Sequence, residues 1–469
     1  YKAGRLIADR KAVDAMCAAA PDIVRGLLVA GTCFTLDGSA PALRAFGGQS
    51  RRRTVFAGTS TGKQLMTVLI AQSRHYEDEG LITRLTGLRF LRLITDNGRT
   101  LGCLLCPAHG GSITALYGSV IIASGGMNGL FGSATGSAAN TGYVTASLLA
   151  DGIPIVNGEF IQFHPTTARL RGKSMLISEA VRGEGGRLFV YRDGRPYYFM
   201  EDKYPERGNL MPRDVIAHEE WTMLRDGCQV YLDMRGIDPE LCIDRLGGVV
   251  CSCRELLGID PLSAPIPVAP GVHYFMGGIR VDASHRTIMR GLYAAGECAG
   301  IYHGANRLGG NSLTGAIYGG ITAARSAIDD LPSLPPVSSA ALPELYASSG
   351  TGSGSFIKNT QKLQEIMCGS LGIVRDAAGL NTALCELDRL SAECAHFDGC
   401  AELYENIGLR DSVLLGRALV CSALARSESR GAHFRSDFPG ESDDYRKQSR
   451  AELIGGGLHI SFEEAGHDN

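Results

Sequence analysis

The sequence has almost no tryptophan, no marked excess of either charge and no long apolar run. Tryptophan occurs once, against 61 glycines. That imbalance suits a fold with many tight backbone approaches, such as a nucleotide-binding one. The formal net charge is −3, which points away from nucleic acid and from an anionic membrane surface as partners. A small anionic substrate would have to be held by local cations. No apolar stretch approaches the roughly 18 residues that a spanning helix needs, and no signal-peptide pattern is present. Nor is there a disulfide framework. The 14 cysteines, several in apolar stretches (Cys103, Cys228, Cys421), read as reduced thiols of a cytoplasmic protein. Cys103 and Cys106 form a C-x-x-C on one strand, and Cys251 and Cys253 stand close together. No second pair at ligand spacing accompanies either, so no metal site is expected.

What is present is a chain of 469 residues, long enough for two or three domains. Its 44% hydrophobic and 20% charged residues are the balance of a soluble globular protein. It opens at Tyr1 in what reads as the middle of a domain, so the natural N-terminus is expected upstream. Asp9 to Leu28 carries apolar residues at helical spacing, and a second helix is predicted from Thr61-Gly62 to about Gln72. Asn97-Gly98, between Leu91–Ile94 and Leu101–Leu105, is a strong hairpin signal. Gly110-Gly111 marks the next turn, and Ser119–Ala123 reads as a buried strand entering Ser124-Gly125-Gly126. Small residues there let the backbone approach a cofactor closely. Residues 331–355, rich in Pro, Ser and Gly, read as a linker. Beyond Phe356 helical periodicity returns and runs to about Arg430.

Several short segments carry candidate chemistry. Ala57 to Gln64 nearly matches a phosphate-binding P-loop. However, Gln64 stands where a Ser or Thr is needed and no apolar strand precedes it, so a turn opening a helix is the better reading. Glu159 to Thr166 contains Q-F-H-P-T with His164. Ser178 to Gly186 contains S-E-x-x-R-G-E-G-G, whose i,i+3 spacing puts Glu179 and Arg182 on one helical face. Arg213 follows Pro212 at a predicted helix start. Next come His273 in H-Y-F-M-G-G-I and Gly296-Glu297 at a strand end. The run H-G-A-N-R-L-G-G-N-S-L then includes Arg307, Asn311, Ser312 and Leu313. Glu297 can meet a ribityl hydroxyl, and Gly309 to Leu313 can offer backbone N–H groups to a flavin at a helix N-terminus.

Taken in order with F-G-G-Q-S at Phe46–Ser50 and A-S-G-G at Ala123–Gly126, these motifs resemble the succinate dehydrogenase/fumarate reductase flavoprotein family. The L-aspartate oxidases are close relatives. The match runs from about Tyr1 to Ser326 and resumes at Glu428–His433. The resemblance implies an α/β fold: a Rossmann-like FAD-binding domain in two segments (1–168 and 271–330), an inserted α+β capping domain (169–270) and a helical C-terminal domain (356–469). It implies FAD, bound through Ser124, Gly125, Gly126, Glu297, Asn311, Ser312 and Leu313. It also implies a C4 dicarboxylate held by His164, Ser178, His273 and Arg307, with Phe46 beside its central carbons. Arg213 would deliver a proton to the substrate, fed through Arg182 and Glu179. An iron–sulfur subunit is implied as partner, because no C-x-x-C-H and no cluster-type cysteine run is present. The chain would then be cytoplasmic, or peripheral on the inner face of the membrane through that partner.

Two departures stand out. The G-x-G-x-x-G fingerprint is absent, and Tyr143 occupies the place of the family's Asp in T-G-D-G. Aspartate oxidases resemble this chain in nearly every motif but carry an acidic residue at the position of Phe46. A phenyl ring cannot compensate a substrate ammonium, which favours fumarate/succinate over aspartate. A non-catalytic scaffold that merely keeps the fold would have no need of His164, Glu179, Arg182, Arg213, His273 and Arg307 together.

Overall fold

The computed structural model describes residues 1–466 apart from 110, 138, 171–172, 335–341, 344–354, 396–397 and 399–400. Asn97 and Gly98 both take positive φ, 47° and 73°. That conformation closes a two-residue turn whose twist matches its strands. Strands Leu88–Asp96 and Arg99–Pro107 pair across it, with Asp96 opposite Arg99, and Thr114–Tyr117 adds a third. The helix Arg10–Val29 is capped by the Asp9 carboxylate, which accepts the Ala12 amide. The helix expected to stop near Gln72 continues to Asp78. Of the expected turn at Gly110-Gly111, Gly110 lies outside the described residues, and so does most of the expected linker.

Val120–Ile122 pairs in parallel with Leu292–Ala294, far along the chain. Parallel pairing puts both strand C-termini at one end. Ser124-Gly125-Gly126 and Gly296-Glu297 therefore emerge side by side. The first strand is buried only in part: Ile122 is covered, while Ile121 is 42% exposed.

A six-stranded antiparallel sheet runs in the order Lys173–Leu176, Ile161–Leu170, Ile266–Phe275, Val230–Asp233, Arg187–Arg192, Arg195–Tyr197. Positions 168/169 and 270/271, the expected segment limits, fall inside two of its strands. Those strands carry His164 and His273. Their pairing shifts register between Gln162 and Phe163 and again between His164 and Thr167, and such bulges re-aim side chains. Leu188, Val190, Ile216, Leu232 and Ile266 form a separate core under the far half of this sheet and the helix Arg213–Arg225.

The C-terminal region is built on helices Ser355–Ser370, Ala377–Glu393 and Leu403–Ala425, the last with a capping box of Glu402 and Glu405. Leu363, Met367, Leu387 and Leu415 pack with Leu149 and Phe275, so this core is continuous with that of the earlier segments. Tyr143 serves this junction. Its ring lies 5.6 Å from that of Tyr404 and leaves no room for a side chain at position 408, a glycine. Past Arg430 the chain returns to strand. Gln448–Ile454 and Gly457–Glu463 form a hairpin that joins Ile155–Val156 and Gly278–Ile279 in one sheet. Among the described residues, no helix is long and apolar enough to cross a membrane.

Candidate active site

Pro212 precedes the first residue of the helix Arg213–Arg225, so Arg213 leaves the backbone at its first turn. The guanidinium meets the Glu179 carboxylate, which sits at the start of the short helix Ala180–Gly183. Arg213 Nε donates to Glu179 Oε2 at 3.0 Å, and Arg182 Nη2 donates to Oε1 at 3.2 Å. The Gly47 amide also donates to Oε1 at 3.0 Å. All three charged side chains are buried. Burial opposes ionisation of Glu179, but Arg213, Arg182 and the hydrogen bonds outweigh it and hold the carboxyl below its usual range. Arg182 is pushed down by burial, against the pull of Glu179.

Two glycines make this packing possible. A Cβ on Gly47 would lie 2.6 Å from Glu179 Oε1 and 2.9 Å from the Met211 carbonyl oxygen. One on Gly309 would lie 2.8 Å from the Phe46 ring and 2.9 Å from Glu179 Oε2. Half-buried Phe46 therefore lies against the Gly309 backbone, at the edge of the Arg–Glu–Arg cluster. Ser178 precedes Glu179, and its hydroxyl accepts the Ala180 amide at 3.2 Å.

His164 and His273 stand edge to face with ring centroids 5.0 Å apart. The Thr166 amide donates to His164 Nδ1 at 3.2 Å, and Thr135 Oγ1 lies 2.7 Å from His273 Nδ1. Burial, then Arg213 for His164 and Arg307 for His273, pushes both imidazoles well below their usual range. They are neutral. With Nδ1 of His164 accepting, its proton sits on Nε2, as a donor.

Arg307 completes the group. Its Nη1 donates to Ser312 Oγ at 3.1 Å, and its guanidinium carbon lies 4.3 Å from the Tyr274 ring centroid. Nε and Nη2 are buried with no hydrogen-bond partner among the described residues. Burial, and then the charge of Arg213, pushes Arg307 down to about 9. A buried guanidinium with two idle donors is costly unless an anion meets it.

The sequence motifs pointed to these residues but not to what ties them together. Gln162 accepts Arg213 Nη1 at 2.9 Å and donates to the Arg307 carbonyl at 2.8 Å and to Asn306 Oδ1 at 2.9 Å. In sequence it stood only as the first residue of Q-F-H-P-T, with no role of its own. Thr135, the partner of His273, carried no signal at all.

The residues expected to hold FAD have a geometry that such a group could use. Gly125 and Gly296 take φ of 76° and 79°, open to glycine, and a Cβ on Gly126 would lie 2.6 Å from Glu297 Oε1. Glu297 accepts the Phe275 amide at 3.1 Å, and burial raises it to about 7, leaving a carboxyl able to meet a hydroxyl. Gly310, with φ of 85°, turns the chain into the helix Asn311–Asp330, whose first N–H groups have no side-chain cap.

Residues 1–313 match the FAD binding domain family, and residues 360–465 match the fumarate reductase flavoprotein C-terminal family. The chain is 36% identical to the succinate dehydrogenase flavoprotein subunit of Bacillus subtilis, over 94% of this chain and 80% of that one. It is 37% identical to L-aspartate oxidase of Mycobacterium tuberculosis, over 93% and 80%. Among solved structures, E. coli quinol fumarate reductase FrdA superposes with a TM-score of 0.90 at 26% identity, over 98% of this chain and 85% of that one. Mycobacterium smegmatis Sdh1 in complex with UQ1 gives 0.83 at 28%, over 99% and 83%.

Fold and site together define an FAD-dependent oxidoreductase. The chain belongs to the succinate dehydrogenase/fumarate reductase flavoprotein family, a group of flavoenzymes with the L-aspartate oxidases among its relatives.

Proposed function

We propose that this flavoenzyme interconverts fumarate and succinate, with Arg213 as the proton donor to the substrate and Arg182 and Glu179 as its supply. The observation that carries this reading is the pair of idle donors on buried Arg307, whose charge, with that of Arg213, acts on both His164 and His273. Arg307 takes one carboxylate of the diacid through Nε and Nη2, and the neutral imidazoles of His164 and His273, with the Ser178 hydroxyl, donate to the remaining oxygens. FAD, held by Ser124 to Gly126, Glu297 and Asn311 to Leu313, supplies hydride exchange at one central carbon when bound. Arg213 moves the proton at the other carbon. A guanidinium is a weak acid, with a pKa above about 12, but a carbanion-like centre is basic enough to take its proton. Glu179 then passes a proton from Arg182 to Arg213. The same groups serve both directions.

The relatives include both succinate and aspartate enzymes at almost equal identity. Phe46 supports the former, since it gives no counter-ion to a buried ammonium. Steady-state oxidation of succinate and of L-aspartate by the flavin-loaded protein, side by side with a dye acceptor, tests the reading. Faster turnover on succinate is expected, and faster turnover on aspartate would overturn it.

An iron–sulfur subunit as electron partner, holding the chain at the inner membrane face, goes with this function. Of the similar proteins, a quinol-fumarate reductase is known with menaquinol molecules and Mycobacterium smegmatis Sdh1 in complex with UQ1. Pull-down of a tagged full chain from its own cells, followed by iron analysis, checks it. An iron-free monomer that turns over with a diffusible donor would count against it.

A further inference from the structure

Arg213 is followed by Asp214 on the helix Arg213–Arg225, and Arg307 is preceded by Asn306. These two neighbours meet. Asn306 Nδ2 donates to Asp214 Oδ1 at 2.9 Å. Asn306 Oδ1 in turn accepts Gln162 Nε2, and Gln162 Oε1 accepts Arg213 Nη1, each at 2.9 Å. Because Arg213 and Asp214 share a peptide bond, the three hydrogen bonds close a ring. Gln162 also donates to the Arg307 carbonyl at 2.8 Å. Gln162, Asn306 and Arg213 are buried, and the Asp214 side chain is 7% exposed.

The direction of these bonds is forced by what each group can do. A guanidinium has no acceptor, so Gln162 must turn Oε1 to Arg213 and its N–H groups to Asn306 and the Arg307 carbonyl. Asn306 must then give Oδ1 to Gln162, which leaves its own N–H for position 214. Only an acceptor satisfies it there, and the Asp214 carboxylate is one. The other carboxylate oxygen faces Arg5 Nη2 at 3.5 Å, and Arg5 Nη1 lies 3.4 Å from Glu441. A buried polar chain that is satisfied at each link rigidifies what it joins, and losing one link strands a donor.

We propose that the Asn306–Asp214 bond is a clasp that sets the gap between Arg213 and Arg307, and so limits the length of the diacid the site accepts. Asp214 and Asn306 act as positioning residues, each through the arginine beside it. Arg307 takes a carboxylate and Arg213 serves a central carbon, so their separation has to match the carbon chain between. With the clasp closed, a four-carbon diacid fits. One methylene more requires the helix Arg213–Arg225 to move away from the Arg307 loop, which the ring of bonds resists. The inference rests on the fumarate/succinate function proposed above.

The test measures how far succinate and glutarate, one methylene longer, raise the melting temperature of the flavin-loaded full chain, each titration giving an affinity. Wild type should favour succinate by about tenfold or more, the scale of one methylene in a fitted site. Asn306→Asp keeps an oxygen for Gln162 but sets two carboxylates face to face, which opens the clasp. Its preference for succinate should be largely lost. Asp214→Ala, which removes the acceptor, should lose it too. Adding Asp214→Asn to Asn306→Asp restores the bond with donor and acceptor exchanged, and the preference should return. Single variants that melt lower yet keep the wild-type ratio of succinate to glutarate affinity would overturn the clasp, because the pair would then be only structural. So would a double variant that folds without regaining the ratio. If neither diacid stabilises wild type, the fumarate/succinate reading itself fails, and that result needs no variant, so the two failures are distinguishable.

Discussion

Arg213 grips one oxygen of Glu179 with two of its nitrogens, Nε at 3.0 Å and Nη2 at 2.5 Å. The other oxygen is left to Arg182 and the Gly47 amide. In the proposed relay a proton taken up on Oε1 from Arg182 reaches Arg213 at Oε2 only after the carboxyl group turns, so the step needs a rotation of Glu179. The third Arg213 nitrogen is taken by Gln162, which fixes the rotation of the group.

Removing that donor should affect turnover more than binding. For Arg213→Gln and Arg213→Lys we expect kcat for fumarate reduction to fall about 10²–10⁴-fold, as for loss of a general acid. Flavin absorbance of the purified protein should be unchanged. Near-wild-type turnover in Arg213→Ala would exclude the assignment.

Glu179→Gln should damage both rate and stability. Taking one partner from a buried ion cluster costs about 3–5 kcal/mol, visible as a lower melting temperature. Glu179 is held below its ordinary 4.5, so its contribution is present above that value and is lost as pH falls through the folded one. The difference in melting temperature between wild type and Glu179→Gln should be constant near neutrality and narrow in acid.

Gly47→Ala probes the packing. The added methyl would press on Glu179 Oε1 and on the Met211 backbone carbonyl. The carbonyl is backbone and yields less readily than a side chain, so a loss of about 1–3 kcal/mol is expected. Turnover should fall with it, because Glu179 is displaced from its two arginines. A protein with unchanged melting and rate would show that the loop relaxes freely.

Phe46→Glu should shift preference toward L-aspartate. The Phe46 ring lies against Gly309 at the edge of the cluster, where a carboxylate would face a bound ammonium. Discrimination between diacid and amino acid should move by about 1–3 kcal/mol, the scale set by pairing a buried charge. The ratio of kcat/KM for succinate and aspartate, measured in both proteins, reads it directly. An unchanged ratio would remove Phe46 from substrate choice.

The sequence alone determined the features that depend on near neighbours. Asn97-Gly98 closed its hairpin, Pro212-Arg213 opened a helix, and the i,i+3 spacing placed Glu179 beside Arg182. Each follows from the φ/ψ range of a few residues or from helical geometry. The tertiary structure decided the rest. It chose Gln162 and Thr135 as the groups that hold Arg213 and His273, turned Tyr143 into a packing residue against Tyr404, and left Glu220 buried without a hydrogen-bond partner among the described residues. It also sent the chain past Arg430 back into strand, to join Ile155–Val156. None of these has a local signature. A hydrogen-bond partner, or the lack of one, is settled by which distant segment packs alongside, and that depends on the burial of whole faces rather than on any spacing in the sequence.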